Sequence, residues 1–310
     1  EWRAVNSYVD MGNRGRGVFS GGEAPSRVST IDYITISSQG NAEEFGDLTN
    51  SSGVLRDTSA CSSSTRGLIC SGEDGSSRIV DIQYLTIPST GNSIDYGDLT
   101  VGGRGGVSVS SSTRGICKNG STPSYPGTID AFEIATLGNA LDFGDQATAS
   151  AGGGGASSPT RGIFGGGYTP NTFAELSYIT ISSFGNSIKF GELTSTRHSP
   201  MRGIVSNTTR GFIVSGVPAG KAISIDKIEF SSLGNAVDFG NLNTKRSEGA
   251  GCSSGTRGIA AGGNISPSLI NTIDYFTLST SGNAVDFGDL IKARAGVSGL
   301  SDSHGGLGGF

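Results

Sequence analysis

The chain has 310 residues and a net charge of −5; it contains 52 glycines, and only 34% of its residues are hydrophobic. This slightly acidic balance lacks the basic surface by which nucleic acids or anionic membranes are bound. No apolar stretch approaches the roughly 20 residues that a membrane-spanning helix needs. The sequence therefore predicts neither nucleic-acid binding nor membrane insertion. So much glycine would indicate disorder in an aperiodic chain, but this chain is periodic.

One pattern recurs six times, and each copy carries an arginine followed by a glycine or a glycine-rich run. These repeat arginines are Arg16, Arg66, Arg114, Arg161, Arg210 and Arg257. Successive members are 50, 48, 47, 49 and 47 residues apart, and a further step of 47 reaches His304. A period of about 40 to 50 residues with strand-like content is typical of propeller blades. The sequence predicts an all-β, six-bladed β-propeller with four antiparallel strands per blade; a seven-bladed or incompletely closed ring is the alternative.

Each repeat contains four predicted strands, a to d. Strand a is a run of small residues such as 107–112, strand b follows the repeat arginine, and strand c is rich in β-branched and aromatic residues, as in 273–278. Strand d carries one aromatic residue, Phe287 in the last copy. Strands with small side chains suit the innermost position, where six strands converge on the axis. We therefore expect a channel lined by backbone and hydroxyl groups. A Gly-Asn pair between c and d, such as Gly282-Asn283, predicts a tight hairpin turn, because both residues tolerate positive φ.

Two terminal segments compete for one inner strand position. Six complete units fit before Leu290, and a seventh strand a follows from about Arg294. We expect this C-terminal segment to close the ring on blade one, and an N-terminal arm, residues 1–13, to reach outward. The propeller then spans residues 14–304, and residues 305–310 form a tail that resembles a clipped strand b. Because the chain opens at Glu1 in mid-repeat, we expect it to be processed or part of a longer polypeptide.

Acidic residues recur on strand d, at Asp47, Asp98, Asp145, Glu192 and Asp289, with Asn241 in the fifth copy. Arginine binds a carboxylate through two parallel hydrogen bonds. We therefore predict a structural role for these repeated residues, in which Arg66, Arg114, Arg161, Arg210 and Arg257 form ion pairs with acids such as Asp98, Asp145 and Asp289. Calcium bound by the Asp-x-Gly-Asp carboxylates is the alternative.

Signals for catalysis are weak. The sequence has no HExxH, no CxxC and no phosphate-binding loop, and its two histidines are far apart in the chain. Acids repeated six times around a ring indicate a structural repeat rather than one sugar-cleaving pair. The four cysteines are expected to be buried free thiols. We predict no catalytic residues, no metal site and no cofactor apart from the calcium alternative.

The repeats resemble those of the kelch propeller family. The corresponding residues are Arg246, Gly262-Gly263, Tyr275, Phe287 and Leu290, although Phe or Tyr stands where kelch repeats usually have Trp. Runs such as Thr-Arg-Gly-Ile-Phe-Gly-Gly-Gly and Gly-Asn-Ala-Val-Asp-Phe-Gly-Asp-Leu are also similar to repeat proteins encoded by marine bacteriophages, especially those of cyanobacteria. That resemblance covers essentially the whole chain, and it implies a virion or tail protein.

The connections between strands predict one constant and one variable face. The a–b and c–d turns are nearly constant, whereas the b–c and d–a connections vary and must share the opposite face. Variable loops on a rigid scaffold are typical of binding surfaces. The candidate binding residues on this face are Tyr125, Tyr168, Phe173, Arg197, His198 and Arg202.

Together these patterns favour a non-enzymatic protein at a virion surface or in an extracellular setting. Its variable face is expected to bind a host-surface glycan, a receptor or a neighbouring virion subunit. The alternative is a purely architectural capsid or tail protein, a decoration or spacer with no host ligand. The expected partners are other virion or assembly proteins and host-surface carbohydrate.

Overall fold

The computed structural model of the chain describes residues 15–49, 53–122, 124–217 and 223–308. Their strands form six antiparallel sheets arranged as the blades of a ring, which confirms the predicted all-β, six-bladed propeller. Six hydrophobic clusters fill the boundaries between successive blades. The predicted N-terminal arm, residues 1–13, lies outside the described residues.

The strands follow the predicted order, with a innermost and d at the outer edge of each blade. Blade one contains β1 (Arg16–Ser20), β2 (Thr30–Thr35) and β3 (Glu43–Asp47); blade two contains β4 (Ser59–Ser62), β5 (Arg66–Cys70), β6 (Asp81–Thr86) and β7 (Ile94–Asp98); blade three contains β8 (Val107–Ser110), β9 (Arg114–Lys118), β10 (Thr128–Glu133) and β11 (Leu141–Asp145). Blade four contains β12 (Gly154–Ser157), β13 (Arg161–Thr169), β14 (Asn171–Thr180) and β15 (Ile188–Glu192); blade five contains β16 (Arg210–Val214), β17 (Ser224–Glu229) and β18 (Val237–Asn241); blade six contains β19 (Ala250–Ser253), β20 (Arg257–Ile265), β21 (Ser268–Thr277) and β22 (Val285–Asp289).

The ring is closed by the C-terminal segment, as predicted. Strand β23 (Ser298–Ser301) pairs antiparallel with β1 and supplies the inner strand of blade one. The predicted clipped strand b beyond it is wrong: Gly305–Leu307 form a short 3-10 turn that packs against β8 and β12. His304, which immediately precedes this turn, is buried, and burial lowers its pKa to about 4. The imidazole is therefore neutral and contacts the Ser62 carbonyl oxygen at 3.1 Å.

The innermost segments of successive blades are joined by hydrogen bonds around the axis. Blade five has a three-stranded sheet, and the segment that precedes β16 pairs with it irregularly instead of forming a regular inner strand: the Met201 N–H donates to the Val214 carbonyl and the Phe212 N–H to the Val205 carbonyl. Its Arg202 carbonyl accepts hydrogen bonds from the N–H groups of Gly251 and Gly299, at 2.8 and 3.0 Å. The channel is lined by backbone and hydroxyl groups, as predicted. Serine hydroxyls on successive inner segments donate to carbonyls of neighbouring blades, at Ser62, Ser110, Ser206, Ser253 and Ser301.

The Gly-Asn pairs join blades rather than forming tight hairpin turns. Strands c and d are antiparallel neighbours as predicted, but the loop between them is longer, and its Gly-Asn pair lies on strand d of the preceding blade. The Asn92 side-chain oxygen, for example, accepts a hydrogen bond from the Asp47 N–H at 3.0 Å. The conserved geometry needs glycine in strand d, because a Cβ at Gly97 would lie 2.6 Å from the Gly138 carbonyl carbon. The predicted turn type was therefore wrong.

The repeat arginines also join blades, but not through the predicted ion pairs. Arg16 donates to the Ile87 carbonyl of the next blade at 2.7 Å, and its guanidinium lies over the Tyr33 ring, 4.5 Å from the centroid. The other five repeat arginines donate to equivalent carbonyls of Ile134, Ile181, Phe230, Leu278 and Ile36. Within the described part of the chain, none forms an ion pair with the strand d acids, and Asp98 and Asp145 are exposed. The arginines are structural, as predicted, with a different partner.

A second set of arginines forms three buried ion pairs, one in each of three d–a connections. Arg197 with Asp226, Arg246 with Asp274 and Arg294 with Asp32 lie at three successive blade boundaries, with N–O distances of 2.8, 2.6 and 3.0 Å. All six side chains are essentially inaccessible to solvent. Removal of either partner of such a pair is strongly destabilising, because the remaining buried charge is uncompensated.

Lys118 is buried between blades three and four, and no carboxylate of a described residue forms an ion pair with it. Its ammonium donates to the Ser150 carbonyl at 3.0 Å and contacts the Ser150 hydroxyl at 3.2 Å. Burial lowers the pKa of Lys118 from 10.5 to about 7. Above pH 7, the Lys118 side chain is therefore protonated in the unfolded chain but largely neutral in the folded chain.

Lys118 is expected to make the protein more stable as the pH rises from 7 to 8.5. Between the folded and unfolded pKa values the unfolded chain binds more protons, so the free energy of unfolding increases by up to about 1.4 kcal/mol per pH unit. Chemical denaturation of the protein and of Lys118→Met across this range measures the effect. The variant should lack the increase; equal pH slopes for both proteins would show that Lys118 keeps an ordinary pKa.

Candidate functional site

A pocket of about 290 Å³ opens at the propeller axis on the face of the b–c and d–a connections. Loops from blades two to six contribute to it, so the predicted sharing of one face by these connections is confirmed. We call it the axial pocket. Its lining residues are Arg56, Asp57, Arg104, Gly105, Ser121, Tyr125, Ala151, Gly152, Tyr168, His198, Ser199, Arg202 and Glu248.

A closed ring of backbone hydrogen bonds forms the base of the axial pocket. One residue of each d–a connection donates its N–H to the carbonyl of the equivalent residue in the preceding connection, with distances from 2.6 to 3.1 Å. The members of this axial ring are Asp57, Gly105, Gly152, Ser199, Glu248 and Gly296. Each has a left-handed backbone conformation, which turns the chain at the axis. The base is therefore held in one geometry by main-chain contacts alone.

Aromatic rings from three consecutive blades form a row at one side of the pocket. The ring centroids of Tyr125 and Tyr168 are 6.1 Å apart, and those of Tyr168 and His198 are 5.7 Å apart, both in edge-to-face geometry. Tyr168, in the extended β13–β14 hairpin, is 40% exposed. Burial lowers the pKa of His198, an effect that Glu248 partly opposes, so the imidazole is neutral at pH 7. The row therefore combines the apolar surfaces of the rings with the polar phenol and imidazole groups.

Charged side chains line the opposite side of the axial pocket. Arg56 pairs with Glu23 and with Asp57, whose oxygen lies 3.2 Å from Arg56 Nε. Glu73 accepts from Arg27 at 2.8 Å and from Arg104 at 3.1 Å. Most of these charges are therefore compensated within the loops. Arg104 is the most accessible of these cations, with 41% of its side chain exposed.

Asp57 lies at the bottom of this charged side, against Arg202. Their oxygen and nitrogen are 2.8 Å apart, as a close charge contact rather than an aligned hydrogen bond, and both side chains are buried. Burial alone would raise the pKa of Asp57, but Arg202, Arg56 and Arg104 outweigh it and lower that pKa. Asp57 is therefore ionised, and it neutralises an arginine that occupies the axis.

The structure brings four of the predicted binding residues into this pocket, namely Tyr125, Tyr168, His198 and Arg202. Phe173 lies outside it, half-buried in β14 and opposite Gly167. The prediction of Arg197 as a surface binding residue was wrong, since its side chain is 1% exposed and pairs with Asp226. Arg197 is placed inward because its connection follows the same course as those of Arg246 and Arg294.

Sequence reasoning missed Arg56, Asp57, Arg104, Ser199 and Glu248. A signal for three of them was present. Asp57, Ser199 and Glu248 occupy one repeat position, at steps of 47 to 49 residues from Gly105, Gly152 and Gly296. Glycine at this position in some repeats indicates a backbone conformation that favours glycine, and a polar residue at the same position in the other repeats is therefore conspicuous.

The pocket contains one serine–histidine contact. Ser199 Oγ lies 3.0 Å from Nδ1 of the adjacent His198. A catalytic triad needs a third group that orients the base, and no carboxylate of a described residue is hydrogen-bonded to this imidazole. Among the described residues, no group of three or more His, Cys, Asp or Glu side chains could hold a metal ion. All four cysteines are buried and free, as predicted.

The fold and this pocket define a class, the six-bladed β-propeller with a pocket at the axis of its variable loop face. Neither the known protein-family models nor the curated proteins give a match to the chain. In the part of the chain that the structure describes, no helix has the length and apolarity to span a membrane.

Proposed function

We propose that this propeller is a non-enzymatic binding module that takes a saccharide unit of a surface glycan in its axial pocket. The observation that carries the proposal is the row of Tyr125, Tyr168 and His198 beside a charged wall. The pocket is built by the loops whose sequences vary between repeats. Ligand sites commonly combine aromatic walls with a few convergent polar groups.

The two sides of the pocket suit the two kinds of surface on a sugar ring. A pyranose presents C–H groups on one face, and these pack against aromatic rings such as Tyr168. Its hydroxyl groups form hydrogen bonds with ionised side chains, which are stronger than bonds between neutral groups. A volume of about 290 Å³ accommodates one sugar residue rather than a long chain. Affinity for each site is therefore expected to be weak.

The setting of this binding is part of the proposal. The kelch-like repeat pattern and its similarity to marine bacteriophage proteins support a virion surface or extracellular location, where a host-surface glycan would be the ligand.

A second candidate is an architectural role in a particle, and one surface favours it. Blades three to five expose large apolar side chains at the outer edge of the constant face, each between 51% and 65% accessible. These are Leu137, Leu141, Phe184, Ile188, Leu233 and Val237. Large exposed apolar side chains on neighbouring blades favour a contact with another protein.

Tyr168→Ala is expected to weaken glycan binding at least about tenfold, since the loss of one stacked aromatic ring removes about 1.4 kcal/mol. The measurement is a glycan array with the purified protein, followed by calorimetric titration of the best ligand. Phe184→Ala is the matched control, because Phe184 is 52% exposed on the opposite face. It should bind as the unaltered protein does. Absence of binding by the folded protein, or equal losses in both variants, would reject the axial pocket and leave the architectural role.

A further inference from the structure

The axial ring contains three side chains at positions that favour glycine. Its members have φ values of 58°, 66°, 70°, 50°, 57° and 69° in chain order. Glycine occupies three of the positions, at Gly105, Gly152 and Gly296, whereas Asp57, Ser199 and Glu248 occupy the others. A left-handed conformation is unfavourable for residues with a Cβ, and such residues persist mainly where the surroundings or the function require them.

The ring itself does not require these side chains. Its hydrogen bonds are formed by main-chain groups, and the three glycines form them equally well. Asp57 is nevertheless explained by the fold, because it neutralises Arg202. Ser199 and Glu248 are not explained in this way.

Glu248 is half-buried, lines the pocket and forms no side-chain hydrogen bond or ion pair within the described residues. Arg56 and His198 attract it only at longer range. Among the described residues, the Ser199 hydroxyl is hydrogen-bonded only to the imidazole of the adjacent His198. The two residues are neighbours, since the Glu248 N–H donates to the Ser199 carbonyl at 3.1 Å. Two polar groups with unused bonding capacity therefore face the pocket side by side, next to the aromatic row.

We propose that Ser199 and Glu248 contact the ligand and bind adjacent hydroxyl groups of a neutral pyranose. This inference rests on the proposed function. The Glu248 carboxylate accepts hydrogen bonds from two neighbouring hydroxyls, the Ser199 hydroxyl bonds a third polar group, and the C–H face of the sugar lies on Tyr168.

The charges around the pocket favour a neutral sugar over an acidic one. Four cations, Arg27, Arg56, Arg104 and Arg202, and four acids, Glu23, Asp57, Glu73 and Glu248, surround the pocket, so their charges sum to zero. A sugar carboxylate beside Glu248 would meet a like charge, and the surrounding side chains carry no net positive charge to offset the repulsion. Hydroxyl groups carry no such penalty.

Ser199→Gly and Glu248→Gly separate ligand binding from stability. Each variant should raise the Kd at least about tenfold, and its Tm should stay constant or rise by about 2 °C as the backbone strain is relieved. The probes are a glycan array and calorimetric titration with methyl glycosides of neutral hexoses and of N-acetylneuraminic acid. Glu248→Gln keeps the shape of the side chain and should lose less affinity than Glu248→Gly. Gly296→Ala, at an equivalent ring position, should lower the Tm.

The outcomes are distinct. If Tyr168→Ala loses binding while Ser199→Gly and Glu248→Gly bind as the unaltered protein, this inference fails and the proposed function stands. A preference for the acidic sugar also overturns the inference. If the unaltered protein binds no probe, both are rejected. Loss of binding with a falling Tm in both glycine variants would show that the side chains serve the fold.

Discussion

A chain that ends at Val297 is expected to lose the cooperative unfolding transition of the complete propeller. It lacks β23, whose four residues are buried and pair with β1. Leu300 also fills the boundary with blade two, where it packs on Gly67. Four backbone pairings and a buried leucine contribute on the order of 5 kcal/mol, which is comparable with the whole stability of a typical domain.

Differential scanning calorimetry measures this effect, and a chain that ends at Ser303 is the control. The longer chain keeps β23 and loses only the C-terminal turn, so it should retain one sharp transition at a lower temperature than the complete protein. Similar transitions in the two shortened chains would contradict the assignment of β23 as the closing strand. Both shortened chains keep Arg294, so its pair with Asp32 does not confound the comparison.

Asp57→Ala is the second change with a large expected effect. It removes the carboxylate that neutralises Arg202, which is 5% exposed at the axis. An uncompensated buried charge is expected to lower the free energy of unfolding by about 3 kcal/mol. Relief of the left-handed strain is not expected, because alanine retains a Cβ. Denaturation with urea, monitored by circular dichroism, measures the loss.

Asp98→Ala is the matched control for Asp57→Ala. Asp98 belongs to the strand d acids, is exposed and forms no ion pair within the described residues. Its removal should change stability by less than about 0.5 kcal/mol. Equal effects of the two substitutions would show that the axial ion pair contributes nothing. The double variant Asp57→Ala with Arg202→Met should recover part of the loss, since no charge then remains buried.

The repeats predicted the architecture because each repeat corresponds to one blade that packs against its neighbours. The period of the repeat arginines set the number of blades, and the surplus strand a beyond Leu290 predicted closure by β23. The partners of the repeated residues could not be predicted in the same way. Arg16 donates to a main-chain carbonyl that is 71 residues away. Every residue has such a carbonyl, so residue type does not identify the acceptor. Asp98 was predicted to pair with a repeat arginine only because the strand d acids recur with the same period as those arginines.

The candidate site was predicted in part for a similar reason. Tyr125, Tyr168 and His198 are conspicuous residues in variable loops, so composition pointed to them. Their convergence depends on the direction of each connection around the axis, which brings residues from three blades within ring contact. Arg197 and Arg202 lie in one connection and have the same residue type, yet one pairs inside a blade boundary and the other enters the axis. Only the three-dimensional course of that segment separates them.

The axial ring has a consequence for how such a protein can evolve. Its six hydrogen bonds use main-chain atoms alone, so the side chains of Ser199 and Glu248 take no part in closing the ring. Under the proposed function, substitutions at Ser199 and Glu248 and in the adjoining loops would change ligand preference while these hydrogen bonds stay in place. Ligand preference and folding would then be subject to separate selection at these two positions, unlike Asp57, which neutralises Arg202.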